Sequence, residues 1–600
     1  MNSKPPRWDL SIVYPGLESK EFKADMKDFE HQVETMETLY LERVSGTDAG
    51  TSVRQLGVLL GEVVGQINAA KTLSATLNAY IYSFFSTDSH NMLARRLLSE
   101  YEQVKVRLQK MQLQFQAWMG RIAPVLDEAI AQHETSRAHA FYIKEIAEQS
   151  KYLMGGTEEA LAAELNLSGA SAWEKLQSTI VSQQSVDFEL DGKTQKLPIT
   201  AVINLHSHPD ESVRRRAYEA EMGVWESVRE PLAACMNGIK GAVNTLNKRR
   251  GREDALHASI DIARINRSTL EAMLSAMSDS FPVFRRYLQA KAKKLGKQGL
   301  AWWDIYAPTG KTDRTYSFDE ARALILENFG KFSPELRTFA EHAFDNHWID
   351  SEQREGKQGG AFSMDVPKVK ECRILSNFDG SLDQVSTIAH ELGHAFHSYC
   401  GYQAGKTELQ MTTPMTMAET ASIMCETVVM EAILAQAANA QEQLGILDSS
   451  LINSTQIIVD IYSRYLFEKE VFERREKAEL SSDDLCEIMQ RAQKATYGEG
   501  LDERYLHKYM WSWKPHYYSA DLSFYNYPYS FGLLFGLGLY AIYLQRGVDF
   551  LPDYKDLLAS TGEATAADLA SRFGIDICGK KFWEDSLKVV GKQIDRYCTL

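Results

Sequence analysis

The stretch Thr387–Cys400, TIAHELGHAFHSYC, decides how this chain is read. It places His390, Glu391, His394 and His397 within eight residues. Upstream, Ser381 and Gln384 make the S-x-x-Q signal that opens a helix. That helix would run through Val385, Ile388, Ala389, Leu392 and Phe396. Residues four apart stack on one helical face, so His390 and His394 can grip one metal ion without distorting the backbone. Glu391 stands one step round and can reach a water on that ion. Two ligands plus a carboxylate base is the logic of H-E-x-x-H. With 14 histidines in the chain, the pattern is expected by chance on the order of a few hundredths of a time. The alternative is a helix that carries surface or structural histidines. His397, one turn beyond His394, reads as structural.

A catalytic zinc takes three protein ligands and leaves one position for water. The segment TPMTMAETASIMCETVVMEAILAQA reads as a helix beginning after Pro414. Glu419, Ser422 and Glu426 form a polar stripe on it, among Met415, Met417, Ile423, Val428 and Val429. A carboxylate buried in such company costs free energy unless it is paired or metal-bound. Glu419 is the best third ligand, and Glu426 could orient a ligand histidine. The competing reading is a solvated helix edge. Elsewhere, His206 and His208 in LHSHPD precede a helix start, where the Asp210 region suits capping better than metal binding.

The chain has 600 residues, with 44% apolar and 24% charged, an ordinary globular composition. Its net charge of −15 argues against nucleic acid or an anionic membrane as the main partner. The N-terminal stretch has no basic-then-apolar run of a signal peptide. The apolar run Phe531–Leu544 is shorter than a bilayer span, so a buried helix is expected. Seven cysteines without a CxxC pair suit free thiols in a reducing cytoplasm.

The first 185 residues carry apolar residues at helical spacing almost throughout. SVDFELDGKTQKLPI alternates around Asp191-Gly192 and predicts a hairpin. Helical patterning returns until about Phe344, a second β candidate spans Gly359–Gly380, and helices follow from Ser381 onward.

Taken together, these residues resemble the M3 family of zinc metallopeptidases, in its oligoendopeptidase F branch. H-E-L-G-H at 390–394, E-T-A-S at 419–422 and Glu426 match that family's spacing. PPRWDLSIVYPGL, LAWWDIYAP and ILSNFDGSLDQVSTIAHELGHAFHSY are similar to its further landmarks. The resemblance implies a mostly α, bilobed helical body around a deep cleft, with a small β-sheet beside the active-site helix. It implies an N-terminal helical region (1–110), an oligoendopeptidase F-type helical domain (111–185) and an M3-type catalytic domain (200–590). One Zn²⁺ would sit on His390, His394 and Glu419, with Glu391 as base. In WKPHYYSADLSFYNYPYS the positions matching the family's oxyanion-stabilising groups are His516, Tyr525 and Tyr527.

The expected activity is zinc-dependent cleavage of internal bonds in short peptides by a metal-activated water. Substrate would add as a strand along AFSMDV or ECRILSNF. Two alternatives stand beside it: a related exopeptidase (carboxypeptidase or dipeptidyl carboxypeptidase), and a helical peptide-binding protein whose metal site does no chemistry. The expected partners are short peptides, in the cytoplasm, with neither nucleic acid nor membrane.

Overall fold

A computed structural model describes residues 4–310 and 314–600. The principal elements, in chain order, are helices α1 (Lys20–Leu39), α2 (Val53–Thr87) and α3 (Met92–Ile122), then strands β1 (Ser185–Leu190) and β2 (Lys193–Pro198). Helices α4 (Glu211–Arg249) and α5 (Arg267–Lys294) precede strands β3 (Ile349–Asp350), β4 (Phe362–Val366) and β5 (Glu371–Leu375). Helices α6 (Leu382–Gln403), α7 (Thr420–Gln436), α8 (Tyr527–Arg546), α9 (Leu551–Ala559) and α10 (Lys580–Thr599) follow. The chain is mostly helical with little sheet, as its patterning predicts.

It divides into two compact units. The first comprises Met1–Leu153, Arg314–Ala432 and Ile542–Phe573. Helices α1 to α3 present apolar faces at three- and four-residue spacing, and Phe22, Phe29, Leu60, Val64, Tyr101 and Trp118 meet in one core. Val366 of β4 and Leu409 join that core. The sheet beside it has the order β3-β5-β4. Strand β5 pairs parallel with β3 and antiparallel with β4. The two-residue β3 carries too little alternation to be seen in the sequence. Because β5 is the inner strand, ECRILSNF does not offer a free edge along its length, and β4 is left as the edge strand.

The second unit comprises Met154–Asp313, Ile433–Ala541 and Gly574–Leu600. The predicted hairpin is present, with Ser185 opposite Pro198 and Leu190 opposite Lys193. Asp191 and Gly192 have φ of 52° and 73°, the left-handed pair that a two-residue hairpin turn needs. Helix α4 starts where Asp210 accepts a hydrogen bond from the Ser212 N–H. Lys240 on α4 reaches the Glu468 carboxylate at 2.7 Å, with both side chains buried. Removing one partner of such a pair costs about 3–5 kcal/mol, because the other charge is stranded. Asp304 of LAWWDIYAP is likewise buried and holds Arg214 at 3.0 Å.

The apolar run Phe531–Leu544 lies in α8, where Phe531, Leu534, Phe535 and Leu539 are fully buried. By length and composition alone Tyr527–Ala559 could cross a membrane, but half of its most apolar window is buried in protein. All seven cysteines are unpaired.

Candidate active site

Helix α6 carries the histidine cluster. Its N-cap Ser381 accepts from the Gln384 N–H at 3.3 Å. The return half of the expected box is absent: Asp379, not Gln384, accepts from the Ser381 N–H. The helix buries Val385, Ile388, Leu392 and Phe396 along one side. It ends at Gly405, φ 70°, where Lys406 N–H bonds Gly401 O and Gly405 N–H bonds Tyr402 O. A glycine in the left-handed region lets these two bonds close off the last turn.

On the opposite side the rings of His390 and His394 stand 4.9 Å apart at 77°. Glu419 Oε2 lies 3.2 Å from His390 Nε2 and 3.5 Å from His394 Nε2. One donor atom from each of the three residues falls within 4.8 Å of the others. Glu419 does not sit inside a continuous helix, as its sequence suggests. It occupies the break between Met415–Ala418 and α7, with φ −84° and ψ 4°. Ser422 Oγ donates to Glu419 Oε2 at 2.7 Å and fixes the carboxylate.

Glu426, two turns further along α7, accepts from His390 Nδ1–H at 3.0 Å and from Ser386 Oγ at 3.2 Å. With Nδ1–H held by Glu426, loss of the second ring proton leaves the lone pair on Nε2, the atom that faces Glu419. Ser386 lies one turn before His390 and was not singled out in the sequence, although its i−4 spacing was a usable sign.

The electrostatics follow from the burial of a two-acid, two-imidazole cluster. Burial opposes charge on His390, but its hydrogen bonds to Glu419 and Glu426 outweigh that and push it up to about 10. Burial holds His394 down at about 4. Glu419 resists its own burial through His390, His394 and Ser422, and falls to about 2. Without metal the positive charge therefore belongs on His390, and His394 is the neutral imidazole. Burial pushes Glu391 up to about 7.

His390, Glu391, His394 and Glu419 line a cavity of about 580 Å³ within the first unit. Glu391 is on its wall and only 7% exposed. Phe362, Ser363 and Asp365 of β4 form another wall, and Thr413, Leu558 and Thr561 a third. Leu558 and Thr561 lie more than 160 positions from His390, and nothing in the sequence signals them. His397 is buried, and its Nε2 lies 2.9 Å from Thr561 Oγ1, which in turn meets Thr413. It ties the helix to the cavity wall, in keeping with a structural role.

His516, Tyr525 and Tyr527 lie in the second unit. His516 stacks on Tyr525 with centroids 6.0 Å apart, and its buried Nε2 has no hydrogen-bond partner among the described residues. Tyr525 OH meets Tyr529 OH at 2.7 Å. Tyr527 is 1% exposed and accepts a hydrogen bond from Ser259 Oγ. His206 is buried against Glu221, which also accepts from His507, so LHSHPD serves packing in that unit.

The sequence profile of Peptidase family M3 matches residues 204–589, and that of Oligopeptidase F matches residues 123–184. The chain is 22% identical to Oligopeptidase PepF of Bacillus subtilis over 480 residues, 78% of this chain and 70% of that one. A solved structure from Chlamydophila abortus superposes with a TM-score of 0.85 at 19% identity, covering all of both chains. Oligoendopeptidase-F from Enterococcus faecium superposes with a TM-score of 0.70 at 18% identity, covering 96% of this chain and 98% of that one.

Proposed function

This chain belongs to peptidase family M3, and we propose that it cuts internal bonds of short peptides with one zinc ion held by His390, His394 and Glu419. It is a metallo-oligopeptidase. The observation that carries the detailed reading is the convergence of three donor atoms within 4.8 Å, in the same cavity wall as Glu391.

The residues fit zinc. Two imidazole nitrogens and one carboxylate oxygen are the donor set of a catalytic site that keeps a position open. Zinc bound there lowers the pKa of a water and polarises a peptide carbonyl. Glu391 takes a proton from the attacking water on its carboxylate and returns it to the departing nitrogen. Glu426 holds the proton on His390 Nδ1 and keeps the ring turned toward Glu419. The family resemblance gives the role of stabilising the oxyanion to His516, Tyr525 and Tyr527, of which Tyr527 OH already accepts from Ser259. The free edge of β4 offers backbone groups to an extended peptide, which suits broad specificity. Seven unpaired thiols suit a reducing cytoplasm.

The test is digestion of peptides blocked at both ends, with products read by mass. Internal cleavage that a chelator stops and zinc restores is the expected result. Cleavage only of peptides with a free end would instead favour the exopeptidase reading.

A further inference from the structure

The cavity beside His390 and His394 continues along α6 past the metal ligands. Ser398 lies one turn beyond His394 and Gly401 about another, and both line the cavity. Strand β4 faces them. Alternation along the strand sends Met364 and Val366 into the core shared with α1 to α3, and Ser363 and Asp365 into the cavity. Asp365 pairs across the ladder with Cys372, whose thiol donates to Asp365 Oδ1 at 3.3 Å. Ser398 supplies a second hydrogen bond to the same carboxyl. No lysine or arginine is among the described residues that line the cavity. The nearest arginine in the sheet, Arg373, is turned to Glu371 at 2.9 Å.

A carboxyl in this setting has two weak neutral donors and no cation. Burial pushes it up, against the pull of Ser398 and Cys372. A buried carboxylate is stabilised by an opposite charge far more than by a neutral donor. The space leading to it is walled by Gly401 and Met411. Met411 packs directly on Gly401, where a β-carbon would stand 3.0 Å from its thioether, so this wall is a flexible apolar side chain that can yield to a ligand. An apolar, yielding wall that leads to a carboxyl suits an aliphatic stem with a cationic head.

We propose that Asp365, with Ser398, forms a specificity subsite that selects a basic side chain, lysine or arginine, close to the scissile bond of the peptide. The inference rests on the peptidase reading above and adds the substrate class. One helical turn separates His394 from Ser398, roughly 6 Å. Extended peptide advances about 3.3–3.6 Å per residue, so the basic residue lies within about two positions of the bond.

The test uses the zinc-loaded full chain and peptides acetylated and amidated at their ends. Arginine, citrulline or norleucine is placed in turn at the two positions on each side of the bond. Citrulline matches arginine in shape and lacks its charge. At one position arginine should raise kcat/KM over citrulline by about 10- to 100-fold, the worth of a charge-assisted hydrogen bond. In Asp365→Asn the arginine-to-citrulline ratio should fall to near one. The wild-type ratio alone already decides, should the variant fold poorly. Equal cleavage of arginine and citrulline peptides at all four positions by wild type overturns the subsite and leaves the peptidase reading intact. So does a preference that survives Asp365→Asn. A wild type that cuts none of the peptides fails the peptidase reading and the subsite with it.

Discussion

Gly393 and Ser422 touch so closely that a β-carbon on the glycine would stand 2.5 Å from the Ser422 Cα and 2.6 Å from the Ala421 carbonyl oxygen. The helix that carries two ligands and the one that follows the third are therefore in backbone contact at the residue between the histidines. Gly393→Ala should destabilise the fold by about 1–3 kcal/mol, the usual cost of forcing a methyl group into packed backbone. It should also weaken metal binding, because Glu419 moves with Ser422. Thermal melts with and without zinc check both. An unchanged melting temperature and full metal occupancy would remove the glycine from the site's construction.

Glu426 accepts hydrogen bonds from the far nitrogen of His390 and from the Ser386 hydroxyl. Glu426→Ala should weaken metal affinity by about 10- to 100-fold, the typical effect of removing such an orienting carboxylate. Competition with a coloured chelator reads this directly. Wild-type affinity in that variant would mean His390 is held by α6 alone.

Much of this site was legible in the sequence because its parts lie on helices, where i, i+4 spacing converts number into direction. His390, Glu391, His394 and Glu426 are all placed that way. Glu419 was found by its chemistry rather than its geometry, since the chain breaks there and the helical phase is lost. The hairpin was legible from Asp191-Gly192. Residues such as Thr561 and Asp365 were not, because they meet α6 through tertiary packing that leaves no local pattern. Strand β3 was too short to alternate. The division into two compact units, each drawn from three separated segments, was equally hidden, since contact between distant segments has no period.

Metal uptake should release about one proton near pH 8. His390 is held protonated, raised to about 10, and a ligand imidazole must be neutral. Calorimetry in buffers of different ionisation enthalpy gives the number. The sign for the metal-free protein follows from the same shift. A folded pKa above the unfolded 6.5 contributes stability that is complete below 6.5 and is lost as pH rises through about 10. Zinc binding with no proton release would contradict a His390 that is protonated without metal.

Glu391 must be ionised to accept a proton, so kcat/KM should fall as pH falls through its pKa. Burial sets that value at about 7 without metal, and a cation at the ligands pulls it lower. The acid limb of the pH profile should therefore lie at or below about 7. A limb well above 7 would assign the base to another group.

The most direct measurement is turnover of an end-blocked peptide by Glu391→Gln, with zinc content determined on the same sample. The amide keeps the size of the side chain and loses the ability to take a proton. One zinc per chain with turnover reduced by at least about 100-fold, the lower bound for a lost general base, is the predicted result. Wild-type turnover with zinc still bound would contradict the assignment of Glu391 as the base in this cavity.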